Sequence, residues 1–114
     1  MVTQFSFSPL RMIEFCADLE RGAPGVPVYV GIAGPTDPVA LARYAQRCGV
    51  GASLRALRTL GTGIAKLVTH TDPSEQVHAM ARYSASRESS NLVGLHFYSF
   101  GGAVRTAEWM RGLL

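Results

Sequence analysis

Four places in this 114-residue chain bring together residue types that can handle a ligand. The first is Gln4, in the stretch VTQFSF (Val2 to Phe7). In an extended run side chains alternate between faces, so Phe5 and Phe7 share one side with Thr3, while Val2, Gln4 and Ser6 share the other. A buried amide without partners costs about 1–3 kcal/mol. Gln4 therefore has two readings: an amide satisfied by neighbouring backbone, or a two-sided donor and acceptor facing a cavity, suited to a heterocycle with amide-like edges. The second place is the turn from Ile32 to Asp37. The third is Tyr44, on the helix after that turn, which is either a core aromatic or a platform for a planar ring. The fourth is Tyr98 to Gly102, where SFGG precedes a helix. Glycines there expose backbone N–H groups beside the positive helix end, so the segment is an anion seat or a plain tight turn. GTGIAK (Gly61 to Lys66) lacks both the P-loop spacing and a preceding strand, and is discounted.

The sequence contains no self-evident catalytic centre. No serine sits in a nucleophile elbow and no histidine lies beside an acid in a triad-like order. Asp37 reads as a helix cap and Glu14 as a solvated helix residue. His70, His78 and His96 do not follow metal-ligand spacings, and no cysteine is placed to join them, so no metal is expected. Cys16 and Cys48 lie in helical segments outside any C-x-x-C pattern, which points to buried thiols in a reducing compartment.

Composition narrows the partners. A hydrophobic content of 47% with 17% charged residues is that of one packed domain spanning residues 1–114. No apolar run reaches the roughly 18 residues of a membrane span, and the start lacks a secretion signal. A cytoplasmic location without membrane contact is expected. The net charge of +3 comes from scattered arginines, with Lys66 the single lysine. That pattern suits small carboxylate or phosphate ligands rather than a nucleic acid.

The elements that must position these residues follow from pattern and punctuation. After the first strand, Ser8-Pro9 starts a helix with an apolar stripe at Leu10, Ile13, Phe15, Cys16 and Leu19, ending near Gly22. Val26 to Ala33 is a strand buried on both faces. Asp37-Pro38 caps a second helix that stops at Gly49. Leu54, Leu57 and Leu60, with Arg55 and Arg58 on another side, imply a short helix. A longer one runs from about Thr71 to Ser86 with Val77, Met80, Ala81 and Ser84 on its stripe. Leu92 to Phe100 is a third, almost uncharged strand, and Ala103 starts the last helix. Strands alternating with helices, without period-2 polarity, imply a parallel α/β sheet, either open or part of a (β/α)8 barrel, with the ligand site at the strands' carboxyl ends.

Taken in order, T-Q-F-x-F (Thr3 to Phe7), PVYVGIAGP with Gly31-Ile32, the helix containing ARYAQRCGV, and G-L-H-F-Y-S (Gly94 to Ser99) resemble the methylenetetrahydrofolate reductase family over essentially the whole chain. The resemblance implies a partial (β/α)8 TIM barrel, its last three βα units, with parallel strands. It also implies the family's chemistry: FAD takes a hydride from NAD(P)H and passes it to 5,10-methylenetetrahydrofolate, giving 5-methyltetrahydrofolate, in one-carbon and methionine metabolism. On that basis Gln4 matches the glutamine that hydrogen-bonds the pterin, and Tyr44 the aromatic, usually phenylalanine, that stacks on substrate. Most FAD contacts and the acid that protonates the folate belong to the five absent units, so this chain alone is expected to be inactive and to carry no catalytic residue of its own. Gly101-Gly102 replaces an asparagine-arginine pair found in some relatives, leaving Arg105 or Arg55 to hold a folate tail.

The expected partners are a folate-type small molecule and a companion chain or further copies of this one. A chain with two open sheet edges is also expected to self-associate in isolation. Two other readings stand beside the enzyme: a non-catalytic remnant that binds a pterin or a partner subunit, and a phosphate-binding α/β domain seated on SFGG.

Overall fold

The computed structural model describes residues 1–49 and 72–113. The expected short helix around Leu54 to Leu60, the GTGIAK segment, Arg55 and His70 lie outside the described residues. The elements are β1 (Val2–Phe5), α1 (Pro9–Gly22), β2 (Val28–Ala33), α2 (Pro38–Arg47), α3 (Ser74–Ala85), β3 (Leu92–Tyr98) and α4 (Ala103–Leu113). The strands form one sheet in the order β1-β2-β3, both pairs parallel. The architecture is thus a small α/β one compatible with part of a βα repeat.

Local chemistry starts the helices where the sequence places them. The Ser8 hydroxyl accepts from the Arg11 N–H at 3.3 Å, satisfying one of α1's orphan donors ahead of Pro9. The Asp37 carboxylate does the same for α2 by accepting from Ala40 N–H at 2.9 Å. Gly49 adopts a positive φ of 76° just past the end of α2, a conformation that costs a glycine little.

The two faces of the sheet are unlike. Val28, Val30 and Ile32 of β2 point to the helix side and pack with Met12 and Cys16 of α1 and Met80 and Tyr83 of α3. Leu95 and Phe97, paired with Val30 and Ile32, join that layer, and the Phe97 ring meets Trp109 of α4 edge-on at 5.6 Å. The other face carries Tyr29 and Gly31 on β2 with Gly94, His96 and Tyr98 on β3. At its amino end no other element among the described residues covers this face, and Tyr29 is 42% exposed. From Val30 to Ala33 β2 is buried on both faces, as its composition implies, and Tyr29 is the exception.

The helical stripes differ in part from the expected ones. In α1 Cys16 is buried and Ile13 and Leu19 pack against the core as expected, and Met12 joins them, while Leu10 and Phe15 are exposed, Phe15 beside Thr3, Gln4 and Ser6 at β1. In α3 Met80 is buried and Val77 half-buried against the core as expected, but Gln76, Ala79 and Tyr83 complete the buried face where Ala81 and Ser84 were expected, and those two are exposed. The helix is rolled toward α1 so that the large Tyr83 ring is covered and its hydroxyl finds a carboxylate. Both cysteines are free thiols, Cys16 buried and Cys48 half-buried at the end of α2. Among the described residues, no helix is long and apolar enough to cross a membrane.

A polar knot closes the amino end of the sheet. The Tyr83 hydroxyl donates to Glu20 Oε1 at 2.7 Å and the Ser90 hydroxyl donates to the same oxygen at 3.0 Å. Arg87 lies 3.8 Å from the other carboxylate oxygen and over the Tyr83 ring. The Tyr83 hydrogen bond, with lesser help from Ser90 and Arg87, holds the Glu20 carboxyl below its ordinary 4.5. Burial, then the Glu20 bond, pushes Tyr83 up to about 12. A lowered carboxyl stabilises the fold above pH 4.5 and loses that contribution as pH falls; a raised tyrosine stabilises it below its ordinary 10 and loses that contribution as pH rises toward about 12. Tyr83→Phe is expected to lower unfolding stability by about 1 kcal/mol at neutral pH and to flatten the decline between pH 10 and 12, both read from urea midpoints across pH.

Candidate functional site

All three strands point their carboxyl ends the same way, and β1 delivers Gln4 there. Phe5 pairs with Gly31 on the open face, and Gln4, one residue earlier, lies on the flank that faces α1. With Thr3, Ser6, Arg11, Met12, Phe15 and Val30 it lines a groove of about 230 Å³. Both halves of its amide are engaged by backbone: Nε2 donates to Cys48 O at 3.3 Å, and Oε1 accepts from Phe5 N–H at 3.0 Å. The first bond is long and exposed, so an incoming ligand can replace it at little cost.

Tyr44 reaches the same end of the sheet from α2. Its ring stacks on Phe100, centroids 4.5 Å apart and planes 14° from parallel, and Phe100 in turn stacks on Tyr98 at 5.8 Å and 15°. Phe5 meets the Phe100 ring edge-on at 5.1 Å and the Phe7 ring at 5.6 Å, which fixes the group from below. Gln4 and Tyr44 are linked through α2, since Cys48, whose carbonyl takes the Gln4 amide, donates its own N–H to Tyr44 O at 2.9 Å. The structure therefore brings both residues to one end of the fold but on different flanks: the Gln4 amide lies toward α1, on the helix side and not on the inward face that the family resemblance requires, while the half-buried rings gather with Phe5 and Tyr98 on the open face.

The SFGG segment packs rather than opens. A side chain on Gly101 would collide with the Pro35 carbonyl, so the glycine lets the loop after β3 lie on the loop after β2. The Gly102 N–H is spent on Ser99 O at 3.0 Å. Arg105 is exposed on the first turn of α4. A larger cavity, about 690 Å³, opens at the opposite end of the sheet around Glu20, Arg87 and Asn91, remote from Gln4 and Tyr44.

Three groups that shape this end fall within the stretches noted in the sequence, but sequence reasoning gave them no role of their own. Phe100 supplies the ring that Tyr44 lies on. Thr3 donates its hydroxyl to Gln4 O at 2.9 Å and accepts from Gly31 N–H at 2.8 Å. Gly31 has no room for a side chain: a Cβ there would stand 2.6 Å from Thr3 O and 2.9 Å from Gln4 C. A glycine in the middle of a buried strand was the available signal, because such a residue marks the close approach of another backbone.

No protein-family profile matches the chain, and no solved structure matches it. Its class rests on the coordinates: a small α/β unit whose parallel strands place an amide and stacked aromatics at their carboxyl ends.

Gly31→Ala is expected to lower stability by about 1–3 kcal/mol through overpacking. Gly22→Ala, at the end of α1 with nothing within 4 Å, is expected to raise it by up to about 1 kcal/mol. Urea denaturation of the two variants checks the pair.

Proposed function

We propose that this chain supplies the pterin-facing part of a methylenetetrahydrofolate reductase-type enzyme, three consecutive βα units of a flavin-dependent (β/α)8 barrel that reduces 5,10-methylenetetrahydrofolate with NAD(P)H. The observation that carries the reading is the parallel order β1-β2-β3 with Gln4, Tyr44 and Phe100 at one carboxyl end, where the T-Q-F-x-F and G-L-H-F-Y-S motifs fall.

The residues present fit a planar heterocycle. Gln4 offers a donor and an acceptor side by side, the complement of a ring with an amide-like edge, once its exposed bond to Cys48 O is exchanged. Tyr44 supplies an aromatic ring at the same end of the sheet, backed by Phe100, whose own ring is engaged by Tyr44, Tyr98 and Phe5. When bound, FAD supplies the hydride chemistry; this chain's part is to orient the acceptor ring and keep water from it. Flavin binding is assigned to the five units contributed by the rest of the barrel. The acid that protonates the folate belongs there as well.

The protein purified from its own cells, with whatever chain accompanies it, is expected to be yellow, to bleach with NADH or NADPH, and to recover with 5,10-methylenetetrahydrofolate. In that complex Gln4→Ala should slow the folate-dependent recovery about three- to tenfold, the range for one net hydrogen bond to the ligand, and leave bleaching by nicotinamide within about twofold. A folded, colourless monomer, or equal loss in both half-reactions, overturns the reading.

A further inference from the structure

The Thr3–Gln4 peptide is held from two strands at once. Tyr98, on β3, reaches across the middle strand and donates its hydroxyl to Thr3 O at 2.9 Å. Between them lies Gly31, and only its missing side chain lets the β1 backbone settle so close to β2 that the Tyr98 hydroxyl can bridge to it. Thr3 closes the arrangement by accepting from Gly31 N–H and donating to Gln4 O. The register of β1 against β2 shifts between Val2 and Phe5, at this peptide. Without a clamp, an irregular edge segment would be free to slip and swing the Gln4 side chain by a residue.

We propose that Tyr98 is a positioning residue for Gln4: its hydroxyl, through Thr3 O, fixes the peptide from which the Gln4 amide projects, and so sets how that amide meets a pterin's amide-like edge. The inference rests on the proposed folate function. It goes beyond it by assigning a task to a side chain that need not touch substrate, and by making the hydroxyl, not the ring, the operative group. Phenylalanine at the position retains the ring contacts with Phe5, His96 and Phe100 and removes the bridge alone.

The test is a double-mutant cycle in the flavin-containing complex, using 5,10-methylenetetrahydrofolate and NADH or NADPH in separate half-reactions. Tyr98→Phe is expected to raise the folate KM about three- to tenfold, the effect of one net hydrogen bond, with flavin reduction within about twofold of the parent. In the Gln4→Ala background the same change should add less than about twofold, because the group it acts through is gone. Tyr83→Phe, which removes a tyrosine hydroxyl bond at the far end of the sheet, should lower the melting temperature without moving either half-reaction. That control separates positioning from general loss of stability.

An undiminished effect of Tyr98→Phe in the Gln4→Ala background, or no effect in the parent, overturns the positioning role and leaves the folate reading standing. If Gln4→Ala itself spares the folate half-reaction, both fall together.

Discussion

The carboxyl end of this sheet depends on an absence, the missing Cβ of Gly31. A methyl group there would stand well inside van der Waals contact with the backbone of Thr3 and Gln4. Because it is missing, the edge strand lies against the middle one, Thr3 can exchange its side-chain hydroxyl for a ladder bond to Gly31 N–H, and Tyr98 can bridge from the third strand to the first. The placement of Gln4, the seating of Phe5 against Tyr98 and Phe100, and the irregular register of β1 all follow from that one close approach. A β-branched residue, favoured in most parallel strands, would forbid the whole arrangement.

The two ends of the molecule are held by different physics. At the amino end, hydroxyls and a guanidinium converge on Glu20, so the interaction is charge-assisted and its strength follows protonation. At the carboxyl end, rings stack and meet edge to face around Phe100, so the contribution comes from burial and dispersion. The division suits a fold whose ligands gather at the carboxyl ends of parallel strands: a face of aromatic rings can accept a planar guest without rearranging a network of charges.

Much of the scaffold was legible in the sequence. Serine and aspartate before proline gave the starts of α1 and α2, and the uncharged runs gave three strands whose alternation with helices implied the parallel sheet. Helix rotation was not legible. Leu10 and Phe15 belong to the expected apolar stripe yet are exposed, and Gln76, outside the expected stripe, is buried in the first turn of α3. Periodicity finds an apolar face but not which neighbour it meets, and α3 serves both the sheet and α1. At the site, the sequence singled out Gln4 and Tyr44 through their resemblance to a family motif. It did not supply the partners that hold them, because Thr3, Gly31 and Tyr98 come from three different strands and their meeting is set by register.

That meeting has a bearing on how the molecule assembles. β1 and β2 are joined by one helix, so their pairing closes a short loop, whereas β3 comes from far along the chain and must close a much longer one before it is rewarded. The bridge from Tyr98 to Thr3 joins residues nearly the whole chain apart, so it is among the last contacts that chain entropy allows. Among the described residues the groove beside Gln4 is lined by the chain from β1 to α1 and by β2 alone, but the clamp on its Thr3–Gln4 peptide arrives only when folding is nearly complete, and a nascent chain still lacking its third strand holds that peptide on one side only.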